Sequence, residues 1–232
     1  MIRALETQLQ TPDVQELHFD DRFGMIVDAE VSYRANNSLK SRLSKAKLRQ
    51  SSCIEDIDFR TARGLDKSVI SSLATSAWVG LRRNILITGP TGTGKSFIAC
   101  ALAQKACRDG HTASYQRASR LFHDLAIAKS TGKYASLLGG LAKKSILVID
   151  DFGLEALTDE QRHDLFEIVE ERYERKSLII ASQLPIDKWH EAIGDPTIAD
   201  AILDRIVHNA YKLCIKSKKS MRPQLNEGTD TE

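Results

Sequence analysis

Cysteine, proline and long apolar runs are all scarce in this sequence, and each scarcity excludes a class of protein. The 232 residues include 4 cysteines with no C-x-x-C spacing, so neither a disulfide framework nor a zinc site is indicated. No apolar run approaches the ~20 residues that span a bilayer. The N-terminus also lacks the apolar segment of a signal peptide. We therefore expect a cytoplasmic protein with no membrane partner.

Neither positive nor negative charge is in large excess over the whole sequence, although the charged residues are unevenly distributed. The formal net charge is only +2, so any affinity for nucleic acid must come from local clusters. Residues 34–49 form one such cluster, with six basic residues and no acidic one. Leu39, Leu43 and Ala46 recur there at helical spacing, which predicts an amphipathic helix. Its basic face is either a solvated surface or a contact to DNA phosphates.

Proline and glycine are nearly missing from the N-terminal region. No proline lies between Pro12 and Pro90, and before residue 89 glycine occurs only at positions 24, 64 and 80. This composition favours helices, so we predict a small helical N-terminal domain over residues 1–60 that binds DNA or oligomerises. A second basic stretch lies at 117–144. The predicted DNA contacts of both stretches are Lys40, Arg42, Lys45, Lys47, Arg49, Arg117, Arg120, Lys129 and Lys133.

A run of the form G-x-x-x-x-G-K-[ST] carries the main functional signal. It follows the apolar run 84–88 and precedes a helix-patterned stretch at 97–108. Such glycines let backbone N–H groups turn inward around phosphates, the helix start adds positive charge, and Lys95 reaches the β- and γ-phosphates. The Ser96 hydroxyl is the expected Mg²⁺ ligand. The alternative interpretation is an ordinary glycine-rich turn. The run comprises Gly89, Pro90, Thr91, Gly92, Thr93, Gly94, Lys95 and Ser96.

From about residue 84 the chain alternates between strand and helix patterns, which is typical of an α/β domain with a parallel sheet. Thr158 with Gln161 predicts a capping box at one helix start. Asp195 followed by Pro196 predicts the start of another. The predicted strands are Ile85–Thr88, Thr112–Gln116, Ile146–Asp150, Leu178–Ser182 and Tyr211–Ile215.

Two carboxylates end the third predicted strand, where the edge of a parallel sheet opens on a site. We predict that Asp150 holds Mg²⁺ opposite Ser96, and that Asp151 polarises the water that attacks the γ-phosphate. Such a pair on its own often only caps the next turn. In one α/β domain with a phosphate loop, it indicates a catalytic site.

Three further side chains are candidates for the reaction. Ser182 and Gln183 end the fourth strand, where they either orient the attacking water or fill a turn before Pro185. Arg205 lies beside the apolar stripe of the last helix. It either pairs with Asp204 or reaches the nucleotide of a neighbouring subunit as an arginine finger.

These motifs together resemble the IstB-like transposition helper ATPases. The resemblance is carried by residues 53–59, 63–66, 89–96, 147–154 and 182–190, and most specifically by 193–210. It implies an AAA+ P-loop NTPase with a five-stranded parallel sheet, encoded beside a transposase in an insertion sequence. Such proteins use ATP and Mg²⁺ to assemble as oligomers on double-stranded DNA and to present it to the cognate transposase.

The resemblance also assigns site residues and bounds. Lys95, Ser96, Asp150 and Asp151 match the two nucleotide motifs. Ser182 or Gln183 matches the sensor, Arg205 the finger, and Arg222 a terminal S-M-R motif that contacts nucleotide or a neighbouring subunit. It places the AAA+ domain at 61–222 and a disordered tail at 223–232. Few residues follow the last predicted strand, so we expect the C-terminal lid to be reduced or absent. The chain is also expected to begin after the family's extra N-terminal helix.

The sequence leaves several interpretations of the function open. Asp151 stands where many AAA+ proteins have glutamate, and its shorter side chain predicts slow hydrolysis. A replicative helicase loader shares the nucleotide motifs and the Asp-Arg helix. A small-molecule kinase uses the same phosphate loop but needs an arginine-bearing lid, for which residues 117–144 show no pattern. A binding module that does not hydrolyse ATP is a further alternative.

Overall fold

The computed structural model describes residues 1–60 and 64–216, which fall into two compact units. The first unit is Met1–Ser44, and the second begins at Lys45. The sequence predicts this boundary at residue 60. The 3₁₀ turn at Ile54–Asp56 lies within the second unit, where Glu55 pairs with Arg108 at 2.6 Å, and the predicted domain bounds stay a prediction.

Helices form the first unit. Helix α1 is Ile2–Gln10, a 3₁₀ turn follows at Pro12–Glu16, and helix α2 is Phe19–Ala46. The buried Gln8 side chain joins the two helices, since its amide donates to the Arg22 carbonyl at 2.7 Å. The predicted helical character of this region is confirmed. The one helix that the sequence places individually, at 34–49, covers only the last part of α2, because the apolar spacing is regular only from Leu39 onward.

The second unit is an α/β domain with one five-stranded parallel sheet, in the order β2-β3-β4-β1-β5. The predicted fold class and all five predicted strands are confirmed. The elements are α3 Lys67–Leu73, α4 Ala77–Gly80, β1 Asn84–Thr88, α5 Lys95–Arg108, β2 Ala113–Arg117, α6 Ala118–Ser130, α7 Tyr134–Ala142, β3 Ile146–Phe152, α8 Asp159–Arg172, β4 Ser177–Ser182, α9 Trp189–Ile193, α10 Pro196–Val207 and β5 Ala210–Cys214, with a 3₁₀ turn at Ile186–Lys188.

The central strands are apolar because helices cover both of their faces. Every residue of β1 and of β4 is buried, as a central parallel strand requires. The predicted helix starts are confirmed as well. Thr158 and Gln161 form the capping box of α8, and the Asp195 carboxylate accepts the Ile198 N–H at 2.8 Å to cap α10.

A buried arginine forms hydrogen bonds with the backbone at the end of the sheet where β3 and β4 begin. Arg172 is 1% exposed, and its guanidinium donates to the carbonyls of Leu141, Ser145 and Ser177 at 2.8, 3.3 and 2.6 Å. Burial lowers the pKa of Arg172 to about 9. These bonds hold the end of α7 and the start of β4 against the last turn of α8.

Some predictions lie on parts of the chain outside the described residues. These are the C-terminal lid, the tail at 223–232 and the role of Arg222. Within residues 1–60 and 64–216, none of the helices combines the length and the apolar character that crossing a membrane requires.

Candidate nucleotide site

The loop between β1 and α5 has the backbone of a phosphate cradle. Gly89, Gly92 and Gly94 have φ values of 152°, 80° and 91°, all in the region that L side chains rarely adopt. Gly89 is also closely packed, since a Cβ there would lie 2.4 Å from the Ile215 carbonyl oxygen. The loop therefore needs glycine at Gly89 both for its conformation and for its contact with the end of β5.

Lys95 begins α5 and folds back over the loop. Its side chain is largely buried, and Nζ donates to the Pro90 carbonyl at 2.8 Å. Burial lowers the pKa of Lys95, and the charges of Asp150 and Asp151 oppose that effect. An ammonium held by a single carbonyl in a desolvated place is suited to receive an anion.

A cavity of about 570 Å³ opens beside Lys95, within the range of small-molecule sites. It lies at the carboxyl edge of the parallel sheet, where α/β proteins bind their ligands. Its lining combines the phosphate loop with side chains from the ends of several elements. The lining residues include Arg49, Gln50, Thr91, Gly92, Gly94, Lys95, Ser96, Arg117, Asp151 and Gln183.

Asp150 lies at the end of β3 and is 1% exposed. Its Oδ2 accepts a hydrogen bond of 2.5 Å from the Tyr115 hydroxyl, and its Oδ1 accepts the Asp151 N–H at 2.9 Å. Burial and this hydrogen bond raise the pKa of Tyr115. The pairing of β3 with β4 shifts register between Ile149 and Phe152, which turns the two carboxylates away from regular strand geometry.

Asp151 differs from its neighbour in backbone and in exposure. It has φ of 57°, and 20% of its side chain is exposed, so it faces the cavity. Its Oδ2 accepts a hydrogen bond of 3.2 Å from Arg117 Nε. A non-glycine residue in the left-handed region carries a backbone cost that functional sites often contain.

Arg49 also reaches these carboxylates. Its Nη1 lies 3.5 Å from Asp150 Oδ2 and 3.8 Å from Asp151 Oδ2. The sequence places Arg49 and Arg117 on a DNA-binding surface, whereas the structure places both at the nucleotide cavity, paired with carboxylates. Arg49 and Arg117 are distant in sequence from Asp150 and Asp151, and the opposite charge of these carboxylates stabilises both arginines at the cavity.

Ser182 and Gln183 have different environments at the end of β4. Ser182 is fully buried, and its hydroxyl donates to the Phe152 carbonyl at 2.6 Å and accepts the Leu184 N–H at 3.0 Å. Gln183 lines the cavity, and its Oε1 accepts a hydrogen bond of 2.5 Å from the Thr91 hydroxyl. Of the two predicted sensors, only Gln183 presents its side chain to the cavity.

Arg205 lies far from this cavity, beside the amino ends of β1 and β4. Its Nε is 2.6 Å from Glu170 Oε2, so its carboxylate partner is Glu170 rather than the predicted Asp204. The guanidinium carbon lies 5.5 and 5.6 Å from the ring centroids of Phe166 and Tyr173. Arg205 lines a separate cavity of about 370 Å³ and does not meet the phosphate loop of its own chain.

The remaining predicted DNA contacts differ in their surroundings. Arg120 pairs with Asp124 at 2.9 Å on one helix face, and Lys129 pairs with the buried Asp164 at 2.7 Å. Lys133 is exposed at the start of α7. Lys40 and Arg42 lie on α2, whereas Lys45 and Lys47 fall in the second unit around the end of that helix.

The residues at the cavity fit a nucleotide with Mg²⁺. Ser96 lines the cavity from the first turn of α5, and Asp150 offers a carboxylate at the end of β3. Hydroxyl and carboxylate oxygens are the ligands that Mg²⁺ prefers, together with phosphate oxygens. The donor set thus suits a cation that arrives with its nucleotide.

Comparison with known sequences gives one family over nearly the whole chain. The family described as IstB-like ATP binding protein matches residues 1–228. A protein of Sinorhizobium fredii that carries the name insertion sequence ATP-binding protein is 44% identical over 224 residues, 97% of this chain and 91% of the relative. One of Pseudomonas fluorescens is 44% identical over 186 residues, 80% of each chain.

Comparison with solved structures identifies the same fold in replication proteins. The structure of DnaI has a TM-score of 0.62 at 19% identity and covers 73% of this chain and 92% of its own. The structure of the DnaC helicase loader has a TM-score of 0.59 at 18% identity, and the match covers 71% of this chain and 97% of DnaC. The structure of replication initiator DnaA, bound to AMPPCP and single-stranded DNA, has a TM-score of 0.61 at 17% identity. This match covers 76% of this chain and 53% of DnaA.

Proposed function

This chain belongs to the family of IstB-like ATP-binding proteins, and we propose that it hydrolyses ATP within an oligomer on double-stranded DNA to assist an insertion-sequence transposase. One observation carries the proposal. Lys95, Ser96, Asp151 and Gln183 line one cavity beside the buried Asp150. The side chains that would bind phosphate, bind the metal and activate water therefore lie at the same cavity.

The reaction follows from these positions. The N–H groups of the phosphate loop and the Lys95 ammonium bind the phosphates of ATP. Ser96 and Asp150 would hold Mg²⁺, which neutralises charge on the β- and γ-phosphates. Asp151 accepts a hydrogen bond from the attacking water and polarises it, while the Gln183 amide orients that water. Asp151 is shorter than glutamate, so we expect slow turnover.

Arg205 completes the site of a neighbouring copy. Its position beside the amino ends of β1 and β4 keeps it from the cavity at the carboxyl ends of the same strands. A second chain that brings Arg205 to this cavity would add positive charge where the transition state is negative. Hydrolysis then requires an oligomer.

Mixing two inactive variants tests this arrangement. Lys95→Ala lacks the phosphate contact but keeps the finger, and Arg205→Ala lacks the finger but keeps the loop. We expect each variant alone to have little ATPase activity, with nucleotide binding retained in Arg205→Ala. The mixture should recover part of the wild-type rate. If Arg205→Ala turned over ATP normally, Arg205 would have no place in the active site.

DNA binding is proposed from the exposed basic residues that remain outside the nucleotide cavity. Lys40, Lys45, Lys47 and Lys133 are exposed, and their ammonium groups would contact phosphates without reading sequence. We therefore expect affinity for duplex DNA to fall steeply with salt and to vary little with sequence.

Sedimentation of the chain with duplex DNA tests the coupling to ATP. With ATP and Mg²⁺ the protein should sediment as a DNA-bound oligomer, and without nucleotide it should not. Lys95→Ala should abolish the ATP-dependent form. DNA binding that is equal with and without ATP, and unchanged in Lys95→Ala, would rule out the coupling.

A replicative helicase loader is the second candidate, and the fold likeness to DnaI and DnaC favours it. The sequence relatives favour the insertion-sequence role, since those at 44% identity carry that name. The two roles separate in a reconstituted assay. Stimulation of strand transfer by a transposase supports the first role, and loading of a replicative helicase onto single-stranded DNA supports the second.

A further inference from the structure

The segment that follows α2 places a cation directly on the predicted metal ligand. Arg49 lies three residues after the end of α2, and its Nη1 is 3.5 Å from Asp150 Oδ2. The stretch 47–53 contains no helix or strand, and Lys47 has φ of 50°. The backbone N–H groups of Arg49 and Gln50 hydrogen-bond to the buried Cys100 sulfur, so the freedom at this position is that of the Arg49 side chain.

A hydrogen bond with Tyr115 and the charge of the carboxylates explain why Arg49 lies there. Asp150 and Asp151 are adjacent carboxylates, and Asp150 is 1% exposed, so water does little to separate their charges. Arg117 contacts Asp151. Within residues 1–60 and 64–216, Arg49 is the one basic side chain ion-paired with Asp150. It therefore supplies the positive charge that a buried carboxylate needs.

The oxygens of Asp150 are already occupied in this arrangement. Oδ1 accepts the Asp151 N–H, and Oδ2 accepts the Tyr115 hydroxyl and faces Arg49. A divalent cation at Asp150 would need one of these positions and would repel a guanidinium beside it. The Tyr115 bond is short and buried and the amide bond is partly buried, whereas 45% of the Arg49 side chain is exposed. Arg49 is the partner that can leave.

We propose that Arg49 is a positioning residue that competes with Mg²⁺ for Asp150. Its guanidinium holds the carboxylate in place and neutralises it without nucleotide, and it withdraws when Mg²⁺ enters with ATP. This inference rests on the proposed nucleotide site. It makes the position of the Arg49 side chain depend on the metal, and not on the nucleotide alone.

Binding of a fluorescent, non-hydrolysable ATP analogue tests the competition in Arg49→Ala. With the competitor removed, the Mg²⁺ concentration that gives half-maximal binding should fall by about two- to fivefold, as expected for a partly exposed ion pair. In EDTA the variant should bind the analogue more weakly than wild type, because the Asp150 carboxylate then faces the phosphates without its ion pair, whereas Asp151 keeps Arg117. Arg175→Ala is the matched control, since the exposed Arg175 pairs with Glu171 at the surface.

Other outcomes would overturn the inference. If Arg49→Ala weakens binding equally with Mg²⁺ and with EDTA, Arg49 is a direct ligand of the nucleotide. An unchanged Mg²⁺ dependence would mean that Arg49 and the metal do not compete. If the wild-type chain binds no nucleotide, the proposed function fails together with the inference.

Trypsin cleavage after Arg49 tests the wild-type chain, so the result does not depend on the folding of a variant. We expect ATP with Mg²⁺ to accelerate this cleavage several-fold over ATP with EDTA, because the side chain leaves Asp150. Cleavage after the exposed Arg175 should not change between the two conditions. Equal or slower cleavage after Arg49 with Mg²⁺ would contradict the release of Arg49.

Discussion

Two serines of β4 differ in one respect that mutation can measure. Ser177 and Ser182 are both 0% exposed and lie on the same strand. The Ser182 hydroxyl bonds to the Phe152 carbonyl and to the Leu184 N–H. The Ser177 hydroxyl is buried and has no hydrogen-bond partner in the part of the chain that the structure describes. Ser177→Ala is therefore a matched control for Ser182→Ala.

The hydrogen bonds set the expected magnitudes. Ser182→Ala leaves a buried carbonyl and a partly buried N–H without their partner, and each such group costs about 1–3 kcal/mol. We expect the free energy of unfolding to fall by about 2–4 kcal/mol. Ser177→Ala removes an oxygen that forms no bond, so the change should stay within about 0.5 kcal/mol or stabilise the protein.

Urea denaturation followed by tryptophan fluorescence measures this difference. The chain has 2 tryptophans, Trp78 and Trp189, and both lie in the second unit, so the signal reports on the ATPase domain. With a slope of about 2 kcal/mol per molar urea, the midpoint of Ser182→Ala should fall by about 1–2 M. Equal midpoints for the two variants would refute the assignment of Ser182 to structure. Gln183→Ala should keep the wild-type midpoint and lose ATPase activity.

Three further substitutions test the loop, a helix start and the metal ligand. Gly89→Ala places a carbon 2.4 Å from the Ile215 carbonyl oxygen, so we expect a loss of about 1–3 kcal/mol in urea denaturation, and an unchanged midpoint would contradict the close packing. Asp195→Ala removes the cap of α10 and should cost about 1 kcal/mol, whereas Asp195→Asn should recover most of it. Asp150→Asn should abolish the Mg²⁺ dependence of nucleotide binding but keep binding in EDTA. A normal Mg²⁺ response in that variant would place the metal ligand elsewhere.

Local patterns predicted the sheet well because central parallel strands are short, apolar and bounded by turn residues. The prediction Leu178–Ser182 differs from β4 by one residue, and Thr112–Gln116 is offset from β2 by one residue. The caps of α8 and α10 were also predictable, since Thr158 with Gln161 and Asp195 with Pro196 are local patterns. The first unit was less predictable because α2 runs through residues with irregular apolar spacing, and because α1 carries no strong start signal.

The nucleotide site was only partly predictable from the sequence. The phosphate loop is contiguous, and Asp150 and Asp151 follow a distinctive strand, so a local pattern identifies them. Arg49 and Arg117 come to the cavity from distant parts of the chain, and in the sequence they look like any other basic residues. The role of Ser182 depends on two backbone groups that only the folded loops bring close. These features arise from tertiary contacts, which no short motif encodes.

The order of the strands has a consequence for synthesis of the chain on the ribosome. β1 lies between β4 and β5, so its partners emerge after more than half of the domain has been made. β2 and β3 can pair earlier, since they are neighbours both in the sheet and in sequence. The strand that leads into the phosphate loop therefore stays unpaired until β4 emerges. Non-local pairing of this kind slows folding and exposes apolar edges, which makes a chain that stops short of β4 prone to aggregate.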